Sequence, residues 1–452
     1  MPLRLVIIGG GPGGNTAATV AATLGAEVVL VESDLLGGAA HLRDCIPSKA
    51  MIATGVALEE LERARAMGFA AEGKLDLTAL RERVSSIEER LHSSVHDLLT
   101  SQGVRIVHGV GRLKGPHEVV VETPAGLEEI DADFIVLATG SRPRIPDFVT
   151  PDGERVLTTR QAYPPPDVPE HLVVIGSGVT GVEFTHMFGA LGSRVTLIVS
   201  RQQVLPLKDP EVAAVLEEEF LRRGVRLLKG ARASAVERDG DVVRVRCDDG
   251  RVAEGSHAVL AVGSVPNSEG LGLADAGVEV DERGYVPINR HGQSNVPHIY
   301  VAGDLAGKLP LSSVASMQGR KIAEHVMGLH TREHRHLDYD KAASAIFTDP
   351  EIADVGLAEA EAFSLGRKIR VTKVPFSSNA KALIDGDPRG FVKILSDPAT
   401  GVVLGGSIVG RNAAELISVL AVAVTCRLTV VDIVDSLLVH PSLAESLTEA
   451  AS

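Results

Sequence analysis

The 452-residue chain predicts an α/β protein of two Rossmann-like dinucleotide-binding domains followed by a C-terminal α+β domain, and three observations carry that prediction. One supersecondary unit, an apolar strand, a glycine turn, a helix and a second apolar strand, opens the chain and recurs from Leu172. Strands alternating with helices in this way make parallel sheets with helices on their faces. After Tyr339 the pattern changes to a run of strands and then a run of helices, which reads as a separate unit. At roughly 100 to 200 residues per domain the length asks for three. The first is drawn at 1–150 with a return segment at 269–335, the second at 151–268 and the third at 336–452.

Composition narrows the class. Hydrophobic residues make up 44% and charged ones 23%, with 46 Gly and 23 Pro, the profile of a globular protein rather than a disordered or fibrous one. A formal net charge of −14 repels phosphate backbones, and Trp is absent. Neither a basic stripe nor interleaved aromatics are present, so no nucleic acid is expected as a partner. Cys45, Cys247 and Cys426 are too few and too scattered for a disulfide framework or a Cys-rich zinc site. No metal is expected, and the compartment reads as reducing and cytoplasmic. The apolar start breaks into glycines after Ile8 without a small-residue cleavage site, so it reads as a strand rather than a signal peptide. No apolar stretch approaches the roughly 20 residues that span a bilayer; no integral membrane segment is expected, and membrane contact would be peripheral.

Taken in order, Leu5–Ile8 is a buried parallel strand, Gly9-Gly10-Gly11-Pro12-Gly13-Gly14 a tight turn, Asn15–Leu24 a helix, and Glu27–Val31 a strand ending at Glu32. Gly9, Gly11 and Gly14 let the backbone approach a pyrophosphate at a helix N-terminus, and Glu32 is placed to accept hydrogen bonds from a ribose. A bare turn is the alternative, but the strand before and the acid after favour a dinucleotide site. Leu77, Leu80, Val84, Ile87, Leu91, Val95 and Leu98 recur at steps of three and four, marking a long amphipathic helix packed on the first domain rather than a partner-binding one. Phe134–Leu137 is a strand ending at Ala138-Thr139-Gly140, and the proline-rich 143–151 and 163–169 are connectors. The second unit runs through the strand Leu172–Ile175, the turn Gly176-Ser177-Gly178-Val179-Thr180-Gly181, a helix to Leu191 and the strand Arg194–Val199. Two such units imply two nucleotides. The last strand leads to Ser200-Arg201 with no acid, where a carboxylate would repel a 2′-phosphate and Arg201 would pair with one; a solvated surface charge is the alternative. A strand from Ile299 ends at Ala302-Gly303-Asp304, and a helix N-cap is one reading of Asp304. Beyond Tyr339, strands at Gly390–Ile394 and Val402–Val409 precede helices at Asn412–Thr425 and Val430–Leu438.

Gly37-Gly38-Ala39-Ala40-His41-Leu42-Arg43-Asp44-Cys45-Ile46-Pro47-Ser48-Lys49, both glycine loops, the Ala302-Gly303-Asp304 turn, Phe347-Thr348-Asp349-Pro350-Glu351 and Val439-His440-Pro441-Ser442-Leu443-Ala444-Glu445 extend over nearly the whole chain. Together they resemble the flavoprotein (pyridine nucleotide-) disulfide reductase family, that of dihydrolipoamide dehydrogenase, glutathione reductase and mercuric reductase. The resemblance implies FAD on the first loop, with Gly9, Gly11, Gly14, Glu32, Lys49, Thr139, Gly140, Asp304 and Ala315 in its site. It implies a nicotinamide dinucleotide on the second, with Gly176, Gly178, Gly181, Arg201 and Gly263, and the arginine leans the choice to NADPH over NADH. Lys49 and Glu183 match an ion pair that the family sets beside the flavin ring, where an ammonium favours the charge of the reduced ring; plain surface charge is the alternative. His440 and Glu445 match an acid–base dyad that one subunit lends to the other, which makes 336–452 the dimerisation domain of a homodimer. His41 is a weaker candidate beside the thiol.

The chain departs from the family at one position. A second cysteine stands five residues before the one matched by Cys45, and here that place is Ala40. Two sulfurs are needed to store an electron pair as an internal disulfide, so that relay is absent. Cys45 then has three readings: a thiolate neighbour of the flavin, favoured by a helix beginning near Pro47; a thiol that forms mixed disulfides or a sulfenic acid; or a packing residue. Ala39-Ala40 followed by Asp44-Cys45 looks most like the dihydrolipoamide-dehydrogenase-like branch whose members reduce quinones directly from NAD(P)H and lack lipoamide activity. That resemblance implies an FAD-dependent NAD(P)H:quinone oxidoreductase, with hydride passing to the flavin, an electron pair passing on to a small-molecule quinone, and His440 supplying a proton. Three alternatives stand beside it. A soluble pyridine nucleotide transhydrogenase needs no disulfide either, although that group keeps the first cysteine and loses the second. A disulfide reductase would work through a mixed disulfide at Cys45, and a nucleotide-binding redox sensor would not turn over at all.

Overall fold

The computed structural model describes residues 2–70, 72–165, 167–329 and 336–452. The chain divides into two compact units, one of Met1–Ser48, Arg81–Arg144 and Ser264–Tyr339, the other of Lys49–Leu80, Ile145–Gly263 and Asp340–Ser452.

The first unit is built on a five-stranded parallel sheet in the order Ile299–Val301, Phe134–Leu137, Arg4–Ile8, Glu27–Glu32, Arg105–His108. Its strands read as continuous Val, Leu and Ile because both faces are covered. On one face lie the helices Pro12–Thr23 and Ser312–Val326, which approach so closely that a Cβ on Gly319 would stand 2.1 Å from the Gly13 carbonyl oxygen. On the other, Val6, Ile8 and Leu137 share a core with Val119, Val121 and Ile130 of an antiparallel sheet of Val110–Gly115, Glu118–Thr123 and Gly126–Asp131. The first helix begins at Pro12, earlier than the expected Asn15, because proline suits a first turn that has no use for its missing N–H. The amphipathic helix spans Leu77–Ser101. Leu98, expected in its apolar stripe, is exposed, and Leu99 is buried in its place with Leu5, Ile7 and Leu30, one four-residue step beyond Val95.

The second unit repeats the parallel arrangement in the order Arg226–Lys229, Arg194–Val199, His171–Ile175, His257–Leu260, Val156–Thr158, with the helix Val179–Ala190 after its glycine turn. Besides a three-stranded antiparallel sheet of Ala233–Asp239, Val242–Cys247 and Val252–Gly255, it holds a five-stranded antiparallel one in the order Ser344–Ile346, Glu351–Gly356, Val403–Gly410, Phe391–Ser396, Arg370–Pro375. The helix Ala413–Cys426 packs there through Ile417, Leu420 and Val424. The final predicted helix stops at Val434 instead of Leu438. Leu437 takes a left-handed conformation, φ 49°, which a helix cannot contain. Among the described residues no helix is long and apolar enough to cross a membrane.

Candidate active site

In the first glycine turn a Cβ on Gly14 would stand 1.9 Å from the Gly9 carbonyl oxygen, so only glycine closes it. Gly11, the N-cap of helix Pro12–Thr23, carries no side-chain cap, and the nearest atom to a Cβ there is Gly38 Cα at 3.8 Å. Helix amides with no side chain bound to them, behind a turn with room in front, fit a pyrophosphate. Glu32 is buried, and its carboxylate is already engaged: Oε2 accepts the Gly10 N–H at 2.6 Å and Oε1 the Asp34 N–H at 2.8 Å. It fastens the two loops together, and a carboxylate keeps lone pairs beyond these two bonds for a ribose.

Thr139 and Gly140 are held from behind by Asn267, a residue sequence reasoning missed. The Thr139 hydroxyl donates to the Asn267 carbonyl at 2.8 Å, the Asn267 amide nitrogen donates to the Thr139 carbonyl at 2.9 Å, and the Asn267 N–H donates to Gly140 O at 3.0 Å. A Cβ on Gly140 would meet nothing within 4 Å. Asp304 is not the helix N-cap considered above: it is inside the short turn Gly303–Ala306, whose N-cap is Ala302, and it accepts the Ser141 hydroxyl at 2.5 Å. Ala315 is buried, and its carbonyl oxygen would lie 3.2 Å from a Cβ on Gly13, so it lies against the glycine turn itself.

The second turn repeats the first, with a Gly181 Cβ 1.9 Å from the Gly176 carbonyl oxygen and open space at Gly178, the N-cap of Val179–Ala190, and at Gly263. Arg201 is exposed and makes no ion pair among the described residues.

Lys49 and Glu183 meet as expected, Nζ to Oε2 at 2.8 Å. Glu183 is buried, so its charge must be compensated on both oxygens. Its Oε1 accepts the Phe347 N–H at 3.0 Å, and the Lys49 ammonium stands 5.0 Å from the Phe347 ring centroid, within cation–π range. Phe347 was visible only as part of a motif; its amide and ring roles come from a contact 164 residues away in sequence.

Cys45 forms no disulfide among the described residues and is half-buried. The helix start expected near Pro47 is absent. A π-turn, Ala40–Cys45, runs directly into helix Ile46–Ala64, and the Ile46 N–H is bonded to the His41 carbonyl. Cys45 therefore lies inside a continuous helical stretch, and the helix-terminus field that was to favour a thiolate is not supplied there. Burial pushes the His41 imidazole below its ordinary value.

The His440 Nδ1–H donates to Glu445 Oε1 at 2.6 Å, and the Ser442 N–H donates to Oε2 at 2.9 Å. The hydrogen bond from His440, and after it the Ser442 amide, hold the Glu445 carboxyl below the usual range. This fixes the imidazole tautomer, with Nε2 left for chemistry, on a side chain 74% exposed. The one grouping of metal-ligand type among the described residues, Asp209, Glu211 and Glu359, surrounds the buried Lys393 ammonium, 2.8 Å from Asp209 and 3.0 Å from Glu359. Those carboxylates already have their cation.

Residues 3–319 match the family model described as pyridine nucleotide-disulphide oxidoreductase, and residues 342–451 match the dimerisation domain of the same family. The chain belongs to this family of oxidoreductases. It is 42% identical to an NAD(P)H dehydrogenase (quinone) of Mycobacterium tuberculosis, over 100% of this chain and 94% of that protein, and 35% identical to a dihydrolipoyl dehydrogenase of Zymomonas mobilis, over 99% and 96%. Among solved structures, LpdA of M. tuberculosis superposes with a TM-score of 0.94 at 42% identity, covering 99% of each chain. The flavoprotein disulfide reductase RclA of Escherichia coli shares the fold at a TM-score of 0.88 and 24% identity.

Proposed function

We propose that this chain is an FAD-dependent NAD(P)H dehydrogenase that reduces a quinone and moves its electron pair without a dithiol relay. The observation that carries the reading is Ala40 at the place of the missing sulfur, in a chain whose nucleotide loops, ion pair and His–Glu dyad are otherwise complete. FAD supplies two-electron chemistry, accepting hydride from a nicotinamide dinucleotide and releasing an electron pair to an acceptor that needs no thiol exchange. A quinone is such an acceptor, and a relative at 42% identity carries that activity in its name.

The residues then take these roles. Gly9, Gly11 and Gly14 bind the flavin's pyrophosphate, with Thr139, Gly140 and Asp304 lining the remainder. Gly176, Gly178 and Gly181 bind the nicotinamide dinucleotide, and Arg201 favours NADPH by pairing with the 2′-phosphate. Lys49, oriented by Glu183, gives positive charge to the reduced flavin. His440, oriented by Glu445, donates a proton to the quinone oxygen. The dimerisation-domain match supports a homodimer formed by 336–452, and the exposed apolar side chains of Leu437 and Val439, next to His440 in sequence, suit burial in a second copy. Sparse, scattered cysteines support a cytoplasmic setting.

The test is anaerobic. The yellow protein is bleached with NADPH and then offered menadione, lipoamide or a thio-NAD analogue in separate mixes. The reading expects rapid recovery of the flavin spectrum with menadione. Recovery only with lipoamide overturns it, recovery only with thio-NAD indicates a transhydrogenase, and no bleaching indicates a sensor.

A further inference from the structure

A guanidinium separates a 2′-phosphate from a hydroxyl by position as much as by charge, so Arg201 needs a fixed backbone. It stands in the segment 200–208 between strand Arg194–Val199 and helix Pro210–Arg222, at an exposed place of the kind where loops are ordinarily mobile. Four hydrogen bonds fasten this one. On the strand side, the Val199 carbonyl accepts the Ala231 N–H at 3.2 Å, and the Arg201 carbonyl accepts the Gly230 N–H at 3.0 Å. Beyond Arg201, the Val204 N–H donates to Glu217 Oε1 at 2.9 Å, and the Leu205 N–H donates to the Ser177 carbonyl of the second glycine turn at 2.8 Å.

Three of these bonds join backbone to backbone. The fourth comes from a side chain, and that side chain reaches both flanks of Arg201. Glu217 Oε2 accepts the Lys229 ammonium at 2.6 Å. Lys229 pairs in register with Val199 and precedes Gly230, the residue on the Arg201 carbonyl. One carboxylate therefore grips the chain just after Arg201 and the strand end beside it. Its own place is rigid, since Val212, Ala213, Leu216 and Phe220 anchor its helix by burial.

The loop also needs that grip. Val204 is wholly buried, and among the described residues its N–H has no acceptor but Glu217. Leu205, next to it, is left-handed at φ 49°, a conformation that a bulky residue keeps only when its surroundings impose it. Lys229 balances Glu217, so the grip leaves no bare negative charge to repel a 2′-phosphate. We infer that Glu217 is a positioning residue: by holding both Val204 and Lys229 it fixes the backbone of Arg201 and so sets the preference for a 2′-phosphorylated nucleotide. The inference rests on the NADPH preference proposed above.

The test uses the intact FAD-bound protein and two probes that differ only in the group concerned, 2′,5′-ADP and 5′-AMP, with dissociation constants from titration calorimetry. The wild type is expected to bind 2′,5′-ADP at least about tenfold more tightly, and Arg201→Gln to abolish that ratio. Glu217→Ala is expected to lower the ratio about fivefold in the wild-type background and not at all in R201Q, because the two residues act through one interaction. Glu217→Asp keeps the charge beside Lys229 but is one methylene too short to hold both groups, and it is expected to lower the ratio about threefold. A merely structural role would lower Tm and leave the ratio unmoved. A wild-type ratio in E217D, or a fall in E217A that persists in R201Q, therefore overturns the positioning role, and E217D decides it even if E217A fails to fold. R201Q losing the ratio while the Glu217 variants keep it overturns the inference alone. A wild-type ratio near one, or R201Q without effect on it, overturns the NADPH preference and the inference together.

Discussion

Glu183 shows what a buried charge demands. One oxygen has an ammonium, the other a backbone amide, and the phenyl ring beneath the ammonium limits how far Lys49 can swing. Lys49→Met leaves a nearly buried carboxylate with the amide alone. We expect a loss of about 2 kcal/mol in urea denaturation, less than the roughly 3 to 5 of a fully buried pair because Lys49 is partly exposed. Adding Glu183→Leu should return much of that loss, because the double variant leaves no orphan charge. Both partners were legible in the sequence, as were His440 and Glu445, since each sits inside a short recognisable stretch. Asn267 was not legible as a brace: it acquires that role from Thr139, more than a hundred positions away.

At the scale of elements, two glycines three positions apart in the second turn do different work. Gly181 has backbone where its Cβ would go, whereas Gly178 has none within 4 Å. Gly181→Ala should therefore lower Tm and abolish nicotinamide binding together. Gly178→Ala should leave Tm close to wild type and raise the KM for NADPH roughly tenfold, the equivalent of about 1.4 kcal/mol, by intruding where the cofactor's phosphates approach. Thermal melts beside steady-state kinetics separate the two. These turns were readable because strand, glycine spacing and helix agree locally. The π-turn at Ala40–Cys45 was not, because nothing in local propensity distinguishes it from a loop leading to a helix at Pro47; the Ile46 amide reaching back to His41 is a matter of backbone winding. The early end of the last predicted helix was hidden similarly, behind apolar residues at 437–439 that continue its pattern, of which Leu437 and Val439 stand exposed.

For the whole molecule, the fold is that of a dithiol enzyme and the chain lacks the dithiol. The chain keeps the nucleotide loops, the ion pair and the dyad but has one sulfur in the segment 37–49, and that sulfur lies within a continuous helix rather than at a helix terminus that would activate it. The account therefore stands on electrons leaving the flavin directly for the quinone. The measurement that tests this most directly is stopped-flow reoxidation of NADPH-reduced Cys45→Ser by menadione under anaerobic conditions. The account predicts a rate within about twofold of wild type, since a change below RT ln 2, about 0.4 kcal/mol, is what loss of a bystander costs. A Cys45→Ser protein that binds FAD and is reduced normally, yet no longer passes its electrons to menadione, would contradict it.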